Sequence, residues 1–522
     1  MEHSSVRPGR RIYVRGYPQS NGRDVNFAAT AGPISAEDVA GWAGSFAVIV
    51  IDATEITLIT DQIRSVPVFY RRTERGWWVG DDPEAVLDGC RVIDVEAARW
   101  FPHAGFVTGS RTLFAGLSQV RAGELVVLNG EPPYEATQRL YRRFSYSQTQ
   151  PNRPDEVKSR FDTAFTAGFD RMLGRVNGRQ LVVPLSGGLD SRLLSARLHS
   201  IGYDNVVNFT YGRPGSSEIA VSKRVAELLE QPWHFVPYEP TEIAHAWATE
   251  EAGRFIEYGH SASAVPHVQD WYALSVLKQR GVLDADAVIL PGHTVVGNIN
   301  APGLLDEPGL VSREQMKEVL ADYHFSLLGR SREVLAHPEI DALLERFLAD
   351  IEYDGTPRSR ATAMEYFNVA ERQAKYINNS VRVYEFFGFD WALPMLDTEM
   401  YLMWQSLDID ITRDRSWYQN YVDQVFAAQT GTEIGYFAPT SVRESTRGAV
   451  KSVLRAVGLE EAAQRVLTTR AVLHHHMTFN RLIGPMSQAQ LGWRTLRGQS
   501  LVGIYGQLFL RDAWNPYTRV FH

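Results

Sequence analysis

The chain has 522 residues, 44% hydrophobic and 22% charged, the composition of a globular protein long enough for about three domain-sized units. Its net charge of −8, with no clustering of Lys and Arg, argues against a nucleic-acid-binding surface, and its single cysteine, Cys90, excludes internal disulfides and cysteine-based zinc sites and fits a reducing compartment. The opening MEHSSVRPGRR holds no apolar segment and no apolar run nears the ~20 residues that span a bilayer, so a cytoplasmic chain with no membrane partner is expected.

From about residue 10 to 135, short apolar or alternating runs (GSFAVIVID, EITLIT, VPVFYRR, GWWVGDD, GELVVLNG) are separated by turn residues. That spacing predicts a β-rich layered unit rather than βαβ repeats. A polar, proline-bearing stretch, SYSQTQPNRPDE, then reads as a linker over 145–156, dividing the chain into 1–144 and 157–522. Beyond it the pattern changes to helix VKSRFDTAFTAGFDRML, strand LVVPL, helix SRLLSARLHSIG, strand NVVNFTYG, helix SEIAVSKRVAELLEQ, strand WHFVPY, helix DWYALSVLKQRG and strand AVILPGHT. Strands alternating with helices specify an α/β fold with a parallel sheet. From about 310 onward, amphipathic segments such as EYFNVAERQAKYINNSVRVYEFFG predict a mostly helical remainder packed on that sheet.

One junction carries the chemistry: QLVVPLSGGLDSRLLSARL, residues 180–198. In an open parallel sheet, ligands sit beyond the C-terminal ends of the strands. Gly187 and Gly188 would let the backbone take positive φ there, the N–H groups of a helix opening at Ser191 would face an anion, and Ser186 and Ser191 would add hydroxyls. Asp190 would repel that anion unless a cation stood between them, so a magnesium-bridged phosphate is the economical ligand. The spacing lacks the Lys-Ser/Thr pair of a Walker P-loop. A glycine turn capped by Asp and Ser, with no ligand, is the plain alternative.

SGGLDS resembles the pyrophosphate-binding loop of the ATP pyrophosphatase superfamily, and LVVPLSGGLDSRLLSARL is most similar to the synthetase domain of asparagine synthetase B-type enzymes. The resemblance implies a parallel-sheet, adenine nucleotide α-hydrolase-like domain with a helical C-terminal part, preceded by an Ntn-type glutaminase-like sandwich. It implies ATP and Mg2+ as cofactors. Ser186, Gly187, Gly188, Leu189, Asp190 and Ser191 would surround the β- and γ-phosphates, with Leu185 a backbone contact and Asp190 the metal ligand. Thr210 and Tyr211 of NFTYG would flank the adenine, and Gly292 matches a glycine of the family's opposite loop. Upstream, Gly44, Phe46, Asp52, Asp61, Arg64, Pro67 and Tyr70 match the family's glutaminase segment.

The departures are as informative. The chain starts Met1-Glu2-His3 where a glutaminase of this class exposes a cysteine; Cys90 shows no activating base in sequence and is expected to be small apolar filler, and the family's NGEIYN pattern is missing. The N-terminal unit therefore reads as a glutaminase fold without its chemistry, as in β-lactam synthetases and lasso-peptide macrolactam synthetases. In ILPGHTVVGN, His293 stands where the family has glutamate and Val296 where it has a metal-binding aspartate. His293 suits a base for the attacking amine, or is a loop histidine bonded to backbone. Tyr258 lies near where related synthetases place a tyrosine that orients a carboxylate, or is a core tyrosine with its hydroxyl at an edge. Asp390, Pro394 and Asp397 of DWALPMLD match a family motif that shapes the substrate end of the pocket, with Ala392 in place of its arginine. Arg443, Arg447 and Lys451 are candidates for a cation at the adenylate, or are solvated surface. His474, His475 and His476 are adjacent, so they cannot face one ion from a helix and read as polar surface.

The reading is an ATP-dependent, AMP-forming amide-bond synthetase acting on a carboxylate- and an amine-bearing small molecule or peptide, without glutaminase activity, a homodimer being among the expected assemblies. Its rivals are a silent nucleotide-binding scaffold or sensor of the same fold, ammonia-dependent amidation of a metabolite, and a member that activates a nucleobase or tRNA, against which the acidic charge counts.

Overall fold

The computed structural model describes residues 2–7, 9–29, 32–147, 152–297, 301–330, 332–435 and 460–521. In the N-terminal part, strand Phe46–Ile51 shows why a sheet forms: its side chains alternate between faces, and both faces are apolar. Phe46, Val48 and Val50 join Ile12, Val39 and Trp42 on one side, whereas Ala47 and Ile49 join Val66, Val68 and Tyr70 on the other. The strand lies inside an antiparallel six-stranded sheet ordered Glu2–Arg7, Arg10–Gly16, Phe46–Ile51, Glu55–Thr60, Glu124–Asn129, Ala136–Leu140. A three-stranded sheet, Leu117–Gln119, Phe69–Thr73 and Gly76–Gly80, supplies residues to the second apolar face, so the unit is layered.

Helix Pro154–Val176 leads into the second part, with proline at its start and Asp155 and Glu156 in its first turn, where their charge suits the helix dipole. Five parallel strands follow in the spatial order Trp233–Pro237, Val206–Gly212, Leu181–Pro184, Val288–Ile289, Asp390–Trp391. Helices Asp190–Ser200, Ser217–Leu228 and Trp271–Gln279 lie between them in sequence. By chain order the strands read third, second, first, fourth, fifth, so the winding reverses between Leu181–Pro184 and Val288–Ile289. That reversal opens a crevice at the C-terminal edge, the place where such sheets bind ligands. The molecule is thus mixed α/β, a parallel sheet beside antiparallel sheets with a helical C-terminal part.

Two elements differ from expectation. The strand expected over AVILPGHT shortens to Val288–Ile289, because Pro291 has no N–H for a ladder and the chain leaves the sheet there. The long amphipathic helix is a helical run whose winding changes: α over Pro357–Phe367, π over Asn368–Ile377, 3₁₀ over Asn378–Ser380 and α again over Val381–Phe386. One apolar core joins Ile63, Phe101 and Phe114 to Phe161, Leu193, Trp404 and Trp514, so the two parts share an interior. Among the described residues no helix is long and apolar enough to cross a membrane.

Candidate functional site

The turn after Leu181–Pro184 is fixed by its own side chains. Leu185 and Leu189 are buried at 1% and 5% exposure, while Ser186 and Gly188 between them and Asp190 after them are half-buried. The Ser186 N–H donates to Ser191 Oγ at 3.0 Å, the two hydroxyls lie 3.1 Å apart, and the Gly188 N–H donates to Ser186 Oγ at 3.1 Å. Gly188 does not take the expected positive φ: a Cβ there would lie 3.1 Å from Ser186 Oγ, so glycine serves this close approach. The helix opens at Asp190 rather than Ser191, and its first N–H groups are those an α-helix leaves unpaired.

From outside the motif, Arg415 reaches the Asp190 carboxylate, and its guanidinium lies 4.9 Å from the ring centre of Tyr418, a buried tyrosine on the next helix turn. The anion-repelling charge of Asp190 is thereby balanced within the protein. Across the crevice, a Cβ at Gly292 would lie 3.1 Å from Ser191 N and 3.2 Å from the Asp190 Cβ, so the two loops meet at Gly292.

Behind Gly292 lies a cavity of about 220 Å³ lined by residues that include His293, Thr294, Val296, Gly297, Glu365 and Arg372. His293 Nε2 is 3.1 Å from Ser380 Oγ, and desolvation lowers its pKa to about 3, so it is a weak base at neutral pH. Glu365 is 2% exposed and desolvation raises its carboxyl to about 7. Arg415, Tyr418, Glu365 and Arg372 escaped sequence reasoning. They come from helices far along the chain, with no spacing to tie them to the turn.

The other expected site residues divide sharply. Thr210 is 4% exposed, and its hydroxyl bonds the Leu185 carbonyl at 2.5 Å and Ser222 Oγ at 2.7 Å, bracing the turn rather than facing a base. The Tyr211 hydroxyl donates to Asp270 at 2.6 Å and its ring stacks on Tyr238. Tyr258 does bond a carboxylate, that of Glu385 at 2.9 Å, but Glu385 lines a cavity with Asn177, Arg179 and Val288, which precede or begin the parallel strands. This is the opposite edge of the sheet from the turn. Asp390 pairs there with Arg179 at 2.5 Å, and Asp397 pairs with Arg171, which also bonds Gln19 of the N-terminal part, whereas the Met395 carbonyl of DWALPMLD accepts the Val295 N–H of the loop across the crevice at 3.2 Å. Asp61 accepts the N–H groups of Phe46, Ile63 and Ser65, and Arg64 Nε donates to the Val120 carbonyl, so these matched residues are loop braces. Cys90 is exposed, not the filler expected, because it follows the short helix Pro83–Leu87 at the surface. Arg443, Arg447 and Lys451 lie outside the described residues. His475 stacks between His476 and Phe479, and among the described residues no group of three or more His, Cys, Asp or Glu could hold a metal. Among the described residues, the carboxylate the turn offers a cation is that of Asp190, and Val296 across from it is apolar and 2% exposed.

No family model matches the chain, and no curated protein matches it in sequence. Solved structures similar to parts of it include an ammonia-dependent NAD synthetase of Campylobacter jejuni subsp. jejuni NCTC 11168 in complex with nitrate, 15% identical over 40% of this chain and 93% of that one, with a TM-score of 0.22. They also include a glutamine PRPP amidotransferase of B. subtilis complexed with ADP and GMP, 9% identical over 56% of this chain and 64% of that one, TM-score 0.17. An allosteric regulatory enzyme of purine biosynthesis is 10% identical over 56% of each chain, TM-score 0.17. Likenesses at TM-scores this low carry no weight for the chemistry.

Proposed function

We propose that this protein is an ATP-dependent, AMP-forming amide-bond synthetase of the asparagine synthetase type. The observation that carries this reading is the Ser186–Ser191 turn, rigid and opening a helix at the point where the sheet's winding reverses. An anion there meets helix N–H groups and, beside Asp190, the Arg415 guanidinium. A carboxylate oxygen would attack the α-phosphorus of ATP, the bond to the β-phosphate oxygen would break, and pyrophosphate would leave toward this turn. An amine would then displace AMP from the acyl group. Any magnesium would arrive with ATP, taking Asp190 as its protein oxygen and the remainder from phosphates and water.

The part over 1–144 is, on this reading, a structural partner without glutaminase activity, and 157–522 holds the synthetase chemistry. Its core is continuous with that of the synthetase part, which suits support better than independent turnover.

Candidate carboxylates with ATP and magnesium should yield AMP and pyrophosphate; ADP and phosphate would overturn the mechanism. Asp190→Ala should abolish this turnover, and surviving activity would show that the turn is not the nucleotide site. Val296 favours a second reading, a nucleotide-binding scaffold without turnover, because an apolar side chain there gives a metal no oxygen to join that of Asp190. ATP binding by calorimetry with no product in any assay would select it.

A further inference from the structure

We infer that the cavity behind Gly292 is a subsite for a small primary amine and that Glu365 accepts the proton this amine loses as it attacks the acyl group. The inference rests on the synthetase reading. Glu365 Oε2 is buried and has no hydrogen-bond partner among the described residues, and the side chain that favours the charged form of this carboxyl is Asn368, which also lines the cavity. A Cβ at Gly297 would lie 2.5 Å from that oxygen and 2.8 Å from Oε1, so the carboxylate presses on backbone that only glycine can supply. A buried carboxylate oxygen without a donor is costly unless the group is protonated or that oxygen meets one. An amine is such a donor, and the cavity borders the loop that packs on the nucleotide turn.

The step balances without a further reactant. The amine nitrogen's lone pair forms the C–N bond, the C–O bond to AMP breaks with its electrons leaving on the phosphate, and the N–H proton passes to Glu365 Oε2. A carboxyl raised to about 7 suits such a transfer near neutrality, whereas His293 at about 3 does not. The other titratable or charged groups lining the cavity are His293, Tyr323 and Arg372. At about 220 Å³ the space is smaller than the ~300–1,000 Å³ of pockets for larger ligands, which points to ammonia or a short alkylamine.

The test titrates the full chain with methylammonium chloride at pH 8, following methyl proton line broadening by NMR, with ATP binding measured separately by calorimetry. Saturable broadening is expected, weakened at least tenfold in Glu365→Gln and likewise in Gly297→Ala, which displaces the carboxylate but keeps its charge. No saturable binding, or equal binding by Glu365→Gln, overturns the proposal. Should the variants not fold, the parent decides: binding must rise several-fold from pH 6 to pH 8 as Glu365 ionises, and a flat profile overturns the proposal. Amine binding without ATP binding keeps the subsite and removes the synthetase reading; ATP binding without amine binding does the reverse.

Discussion

Arg415 does for Asp190 what no residue of the turn itself can do. A bare carboxylate in front of a phosphate would repel it, and the guanidinium against Asp190 turns that liability into a paired, cation-edged site. A hydrogen bond to a charged group contributes ~1.5–3 kcal/mol, so Arg415→Met should weaken ATP binding by roughly 10–100-fold. Calorimetry measures this, and unchanged affinity would reduce Arg415 to a strut. The turn could be read in the sequence because its parts are consecutive: strand, two glycines, two serines and the helix start all lie in residues 181–191. Arg415 and Glu365 could not, since folding brings Arg415 to the turn from the start of a helix 225 residues from Asp190 and Glu365 to the loop across from it. Tyr258 misled for the converse reason. Its partner really is a carboxylate, but the sheet has two edges and sequence distance does not say which.

The helical run from Pro357 to Phe386 ties the crevice to the N-terminal part. Its apolar spacing predicts helix, and helix forms with a change of winding, but Glu371 and Lys375, of residue types that mostly face solvent, are 0–1% exposed. The reason is tertiary: Glu371 accepts the Gly109 N–H, Lys375 Nζ donates to the Val107 and Gly109 carbonyls, and the two side chains pair at 2.7 Å. They lie in the π-wound turn whose neighbours Asn368 and Arg372 line the amine cavity, and such turns recur at functional sites. Removing one partner of a buried pair strands the other charge, so Lys375→Met should lose ~3–5 kcal/mol in denaturant unfolding. Glu371→Gln/Lys375→Met together should recover more than half of that loss. If the double variant is no more stable than the single one, the penalty comes from the lost carbonyl contacts instead of the stranded charge.

At the scale of the whole molecule, the two parts legible in the sequence as separate patterns are not separate in packing, since patterning reveals which faces are apolar but not which faces meet. The seam between them and the helical run also gathers histidines in apolar surroundings. His260 packs on Phe114 and Phe509, and His324 on Phe367 and Tyr323. Desolvation lowers both to about 3, and neither ring nitrogen of His324 has a hydrogen-bond partner among the described residues. A histidine whose folded pKa is depressed stays neutral in the native state while the unfolded chain takes up protons below pH ~6.5. Unfolding therefore gains protons as pH falls, and the stability present above that value is lost between about 6.5 and about 3. The raised carboxyl of Glu365 acts oppositely, with the native state holding a proton between its ordinary 4.5 and about 7, so total stability against pH mixes the two effects. A variant separates them. His324→Phe keeps an aromatic ring against Phe367, and any packing cost is the same at both pH values, so it cancels when each protein is compared with itself. Between pH 7.5 and pH 5 the parent should lose about 2 kcal/mol more than His324→Phe in denaturant unfolding, 1.36 kcal/mol for each pH unit below ~6.5. Equal losses in the two proteins would mean that His324 takes up its proton at the same pH in the native and unfolded states and that acid does not attack the structure there.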